Sequence, residues 1–288
     1  MMQKNNMNVF VIGVGLIGGS MVLDIQREYP KAVIYGIDAN ENHLEEALKI
    51  GVIKHKANFN DLDKADIVIV SIPVDVQIAI VPKILDIITD DCLVLDVGST
   101  KEKICKTIEN HPKRRNFLAT HPIAGTEFSG PTAAHENLFH QKTNIICEVE
   151  KTAFKLQEKA LGIFSKLGMR IRYMDAKSHD KHIAYVSHLS HISSFMLGKT
   201  VIEKERNERD IFDMAGSGFA STVRLAKSSP AMWTAIFKQN KDNVIETLDE
   251  YITNLQQFKD AILKDDFTKI HNEMESTNHI KQILNGIK

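Results

Sequence analysis

The chain is expected to fold as an α/β domain on a doubly wound sheet over residues 1–175, followed by an all-helical domain over 176–288. Three observations predict this. Short β-branched runs alternate with helical stretches through residue 175. A glycine-rich turn joins the first of those runs to the first helix. Past Met174 the strand signals stop.

The expected strands cover 8–13, 33–38, 65–73, 92–98, 116–122, 144–149 and 170–174. Helical stretches at 16–28, 41–50, 74–88 and 101–109 lie between several of them. Near-continuous apolar strands separated by helices indicate a parallel sheet covered on both faces. Residues 151–168 read as another amphipathic helix, closed by Gly168. A long helix is expected over 176–202, apolar on one side. A charged patch (203–210), a small-residue stretch (215–220) and helices at 231–240, 241–263 and 266–287 follow, with Pro230 placed where a helix would start. A helical domain this small can hide its apolar faces in a dimer.

Composition narrows the function. The 288 residues are 43% apolar and 25% charged, with a net charge of −1. Nothing in that balance calls for nucleic acid or a membrane surface, and the apolar runs are too short to span a bilayer. No basic-then-apolar leader precedes the first strand. Cys92, Cys105 and Cys147 show no paired spacing. A cytoplasmic protein acting on a small molecule is expected.

The glycine turn carries the first chemistry. Gly13, Gly15 and Gly18, with Leu16 and Ile17 between the last two, form G-x-G-x-x-G after a strand and at the start of a helix. Gly13 permits the tight turn, Gly15 lets a pyrophosphate approach the backbone, and Gly18 lets helix pack on strand. The helix N-terminus offers N–H groups and a positive dipole end to the phosphates. Asp38 ends the second strand, 20 residues past Gly18, where a carboxylate accepts bonds from the adenine-ribose hydroxyls. It would repel a 2′-phosphate, and residues 39–42 supply no arginine, so NAD is expected rather than NADP. Ser71 and Pro73 end the third strand and face the same crevice. Ser99 and Lys101 follow the fourth and are candidates to line its nicotinamide end.

The second chemistry lies at 121–131, HPIAGTEFSGP. His121 ends a strand and points into the crevice, where a neutral imidazole can take a hydroxyl proton as the neighbouring carbon gives up hydride. Downstream, residues 178–191 are rich in histidine. At 100° per residue His182 and His191 fall on opposite helix sides, so this helix alone cannot converge four metal ligands, and no metal is expected. Ser187 and His191 are four apart and can share one ligand. Arg224 stands among small and apolar residues, a setting in which arginine grips a carboxylate.

These segments resemble the prephenate dehydrogenases of tyrosine biosynthesis, a group that includes arogenate dehydrogenases. GVGLIGGS at 13–20, DVGSTK at 96–101, HPIAGTEFSG at 121–130, SHLSH at 187–191, GFASTVRLA at 218–226 and PAMW at 230–233 carry the resemblance. It implies NAD-dependent oxidative decarboxylation of prephenate to 4-hydroxyphenylpyruvate. His121 would accept the ring hydroxyl's bond or proton, and Ser99 would share that hydroxyl. Arg224 would bind a substrate carboxylate, with Ser187 and His191 contacting substrate. Thr126 and Glu127 would border the pocket, and Trp233 would lie near it, from its own chain or from a partner subunit. The helical domain would build a homodimer. The chain departs from the family at Ala220 and Ser221, commonly a basic residue and aspartate, at Ser217, often glycine, and at Ser190, commonly proline.

Two other readings stay open at this level. A hydroxyacid or 6-phosphogluconate-type dehydrogenase would need a glycine-flanked catalytic lysine, which Lys177, Lys181 and Lys199 do not supply. A non-catalytic NAD-binding regulator would not need His121, Ser99 and Arg224 together.

Overall fold

The computed structural model describes residues 7–206, 208 and 210–285. The expected charged patch includes Asn207 and Arg209, and the expected last helix reaches Ile287. Those three positions lie outside the described residues.

One eight-stranded sheet organises the first part of the chain. Its strands are β1 (Asn8–Ile12), β2 (Val33–Ile37), β3 (His55–Lys56), β4 (Ile67–Val70), β5 (Leu93–Asp96), β6 (Phe117–Pro122), β7 (Thr143–Cys147) and β8 (Arg170–Met174), in spatial order β3-β2-β1-β4-β5-β6-β7-β8. Helices α1 (Leu16–Glu28), α2 (Glu41–Lys49), α3 (Val74–Ile87), α4 (Glu102–Thr107) and α5 (Phe154–Lys166) connect them. Two apolar layers result, one against each sheet face. Val9, Val11, Ile67 and Ile69 pack into one layer, and Phe10, Ile12, Val68 and Val70 into the other. Alternate residues of the same strands enter opposite layers, which is why these strands read as unbroken apolar runs.

The sheet differs from the expected parallel one at a single pairing. β7 runs antiparallel to β6, with His121 opposite Ile145. The 123–142 connection holds only a 3-10 turn at Pro131–Ala133. Without a crossover helix the chain returns alongside the strand it has just left. Gly168 then closes α5 with φ +70°, and Met169 N bonds back to Phe164 O at 3.0 Å. The two-residue edge strand β3 was not expected; it is too short to show a period.

The long helix past Met174 is nearly continuous but not regular. α6 (Ala176–Ile183) passes through a π-helical turn, Ala184–His188, into α7 (Leu189–Glu205). α8 (Ser217–Thr222) and α9 (Pro230–Gln239) follow. Pro230 sits in the first turn of α9, and the Ser229 side chain caps Met232 N. Packing breaks after Asn240 and divides the chain into two compact units. The second holds α10 (Lys241–Leu263), α11 (Phe267–Thr277) and α12 (Ile280–Asn285), with α11 packed on α10. Among the described residues no helix is long and apolar enough to cross a membrane.

Candidate active site

The glycine turn is built by steric exclusion. Gly13 has φ +92°, and a Cβ there would stand 2.2 Å from the Ser71 carbonyl oxygen. A Cβ on Gly18 would stand 2.2 Å from Gly13 O. Gly15 is different: nothing lies within 4 Å of a Cβ placed there. Gly13 and Gly18 therefore serve the fold, and Gly15 leaves open space beside the helix N-terminus. The first turn of α1, which includes Leu16, Ile17 and Gly18, has no acidic residue, and the Gly15 cap makes no side-chain bond. An anion fits that cradle.

Asp38 follows β2 and ties the turn together. One carboxylate oxygen accepts Val14 N at 3.0 Å and the other accepts Asn40 N at 2.9 Å. Ser71 follows β4, where its N–H bonds to Ile12 O at 2.8 Å, and Pro73 begins α3. All these groups stand at the carboxyl ends of β1, β2 and β4, where open α/β sheets bind ligands.

The next two strand ends hold the reactive groups. Ser99 follows β5 and His121 lies at the end of β6, its neighbour. Lys101 does not line the crevice freely. Its side chain is wholly buried, paired with Asp96, and its Nζ donates to Thr120 O at 2.7 Å. It braces the residue just before His121, because a buried ammonium must be paired to be tolerated.

His121 meets the helical segment directly. Its Nδ1 lies 2.8 Å from His179 Nε2, and His179 Nδ1 lies 2.8 Å from Asp180 Oδ1. Asp180 also accepts Lys101 N at 2.7 Å and Glu102 N at 2.9 Å, and Asn240 Nδ2 donates to its backbone oxygen at 2.7 Å. Burial pushes the His121 imidazole well below the ordinary value, helped by His179, Lys101 and His188. It is neutral at physiological pH and able to accept a proton.

The remaining expected residues gather beside this line. His191 Nδ1 bonds to Ser187 O at 2.9 Å, so Ser187 takes part through its carbonyl. His191 stacks on Trp233 with ring centroids 3.6 Å apart, and His188 meets the same indole edge-on at 5.8 Å. Burial lowers the His188 pKa to about 4 and that of His191 more modestly. Trp233 therefore stands among residues of its own chain. Arg224 is half-exposed and reaches Glu127 Oε2 at 3.3 Å, drawing the 123–130 loop towards the helices. Thr126, on that loop, is exposed, and its hydroxyl accepts Phe128 N at 3.3 Å.

Three features escaped the sequence reading. His179 and Asp180 lay in the histidine-rich run but were weighed there only as metal ligands. The π turn, which sets the facing of Ser187, His188 and His191, has no signature at a 3.6-residue period. The signal for His179 was available: it lies four residues before Ile183 on the buried side of α6.

A glycine cradle at a helix N-terminus and a neutral histidine three strands away define an oxidoreductase of the dinucleotide-binding Rossmann class. The comparisons with known proteins narrow this. A model of the prephenate dehydrogenase nucleotide-binding domain matches residues 21–173, and one of the prephenate dehydrogenase dimerization domain matches 175–276. The prephenate dehydrogenase of Bacillus subtilis is 30% identical over 269 residues, 92% of this chain and 72% of that protein. The cyclohexadienyl dehydrogenase of Zymomonas mobilis is 27% identical over 90% of this chain and 89% of its own length. Among solved structures, A. aeolicus prephenate dehydrogenase in complex with hydroxyphenyl propionate and NAD+ matches with a TM-score of 0.88 at 32% identity, covering 96% of this chain and 97% of that one. The chain belongs to the prephenate dehydrogenase family.

Proposed function

We propose that this chain is a prephenate dehydrogenase of tyrosine biosynthesis, converting prephenate to 4-hydroxyphenylpyruvate and CO2 with NAD as oxidant. The observation that carries the reading is His121: a neutral imidazole at a strand end, on the same carboxyl edge of the sheet as the glycine cradle. The Bacillus and A. aeolicus proteins, named as prephenate dehydrogenases, support prephenate as the substrate.

The residues divide the work. Gly13, Gly15, Leu16, Ile17 and Gly18 would hold the pyrophosphate, with Asp38 on the adenine ribose and Ser71 and Pro73 along the crevice. Each Asp38 oxygen accepts one backbone N–H and keeps acceptor capacity for a ribose hydroxyl, and the open space over Gly15 suits the pyrophosphate. NAD supplies the acceptor for the hydride lost from the carbinol carbon. His121 accepts the ring hydroxyl's hydrogen bond and draws its proton as that carbon becomes electron-poor, with Ser99 sharing the hydroxyl. CO2 departs from the ring, its bonding electrons complete the aromatic system, and His121 returns the proton to the phenolate oxygen. Arg224 grips a carboxylate, exchanging Glu127 for substrate. Thr126 borders the pocket, while Ser187, His191 and Trp233 form its helical wall.

The domain boundary proposed at 175/176 is supported by the two family models, which meet between 173 and 175. A homodimer is supported by the dimerization-domain match and by exposed Ile252, Leu255, Phe258 and Ile262 on α10. Three buried, unpaired cysteines suit a reducing cytoplasm.

The test is NADH formation at 340 nm with purified protein, NAD and either prephenate or arogenate. Turnover with prephenate is expected. Turnover with arogenate alone would move the substrate and keep the chemistry; turnover with neither would overturn the reading.

A further inference from the structure

The buried line from His121 to α4 fixes where protons can sit. The N–H groups of Lys101 and Glu102 can only donate, and they point at the two Asp180 oxygens at 2.7 and 2.9 Å. The Asp180 carboxylate must therefore accept. His179 Nδ1, 2.8 Å from the same carboxylate, must carry the hydrogen. In a neutral imidazole that leaves His179 Nε2 bare. His121 Nδ1 stands 2.8 Å from it and must donate in turn. The lone pair of His121 is then on Nε2. With Asp180 ionised and both imidazoles neutral, no other proton placement satisfies every contact, because the line ends in backbone groups that cannot reverse.

Burial makes this order durable. His179 and Asp180 are each 1% exposed, so water cannot replace a lost partner. Asn240 holds the Asp180 backbone and contacts His188 Nδ1 at 3.2 Å, which keeps α6 seated on the end of the sheet.

We propose that His179 and Asp180 are positioning residues: they lock His121 in the tautomer whose bare Nε2 faces the substrate hydroxyl. This rests on His121 being the base. His179 touches no reacting atom. It denies His121 the second tautomer, which would present an N–H where a proton acceptor is needed, and the ring flip, which would put Cε1–H there.

The experiment begins on the unaltered protein. Nitrogen-15 spectra of histidine-labelled enzyme should show His121 protonated at Nδ1 and bare at Nε2; the opposite tautomer would overturn the proposal. Kinetics with prephenate and NAD then separate positioning from scaffolding. His179→Leu should lower kcat by about 10- to 1,000-fold with the KM for NAD unchanged. His179→Gln, whose amide oxygen can accept from His121, should recover most of that loss. Once His121 is replaced by Asn, adding His179→Leu should cost nothing further. A fully active His179→Leu enzyme, or a double variant reduced by the product of both single losses, would overturn the proposal while leaving His121 as the base. A fully active His121→Asn enzyme would instead overturn the base assignment, and the positioning role with it.

Discussion

The glycine turn and the histidine line both stand at the carboxyl edge of the sheet, yet they are assembled in opposite ways. Most determinants of the turn lie between Gly13 and Asp38, with Val11 and the Ser71-Ile72 segment closing against its glycines. It works through backbone, by what a side chain would block. The histidine line joins residues 58 and 79 positions apart and works through side chains whose hydrogens must be in one order. In the proposed function the first region binds and the second reacts, so damage to each should fail differently.

The largest expected effect separates them outright. His121→Asn keeps a polar group of similar size but not a base. It should lower kcat about 100- to 10,000-fold, the ordinary worth of general-base catalysis, while NAD affinity by fluorescence titration stays at the wild-type value. Loss of NAD binding in that variant would mean the two regions are one construction.

The contrast also explains what could be read in advance. Gly13, Gly15, Gly18 and Asp38 were legible because a strand, a turn, a helix and a second strand follow one another within 30 residues, each with its own local cause. His121 and Arg224 were legible as residue types in recognisable segments, but Glu127 bridging to Arg224 is a tertiary fact. Lys101 was read as a crevice residue and is instead buried, because its carboxylate partner, Asp96, sits at the strand end just beneath it. The spacing of His179 to Ile183 marks it as buried, but what it and Asp180 touch depends on α6 lying against the N-terminus of α4, a tertiary fact. The antiparallel β7 was hidden for a similar reason: strand direction depends on the connection, and the residues of β7 do not encode it.

Arg224 tests the helical wall. Arg224→Ala should cost about 2 kcal/mol in binding of substrate, roughly 30-fold in kcat/KM, at the low end for charged pairs because the guanidinium is half-exposed. Arg224→Lys should recover only part, since an ammonium cannot make the bidentate grip. Steady-state kinetics in prephenate at saturating NAD decide this. An unchanged kcat/KM would place the substrate carboxylate elsewhere.

Within the turn, two glycines give a finer comparison. Gly13→Ala forces a side chain into left-handed backbone and onto the Ser71 carbonyl, and should destabilise the fold by about 1–3 kcal/mol in thermal or urea unfolding. Gly15→Ala meets open space at an ordinary φ of −77°. It should leave Tm unchanged and weaken NAD binding alone, because the methyl group occupies the approach to the backbone. Equal loss of stability in both would mean that Gly15 also serves packing.

Acid should divide the regions by the smallest margin, through protons alone. Burial holds His121 well below 6.5 and His188 near 4 in the folded protein, while unfolded histidines titrate near 6.5. Between the two values the unfolded chain binds more protons, so unfolding free energy rises with pH there. The contribution is complete above about 6.5 and is lost as pH falls towards the folded values. Tm should therefore be level from pH 8 to about 6.5 and decline by a few degrees towards pH 5. For activity, kcat/KM should stay flat through the normal imidazole range and drop only below it, since the base is already deprotonated at 6.5. The glycine turn contains no histidine between residues 8 and 20, so NAD affinity should hold across the same range in protein that remains folded. An activity limb near 6.5 would mean that His121 is wetter and less constrained than its burial beside His179 implies.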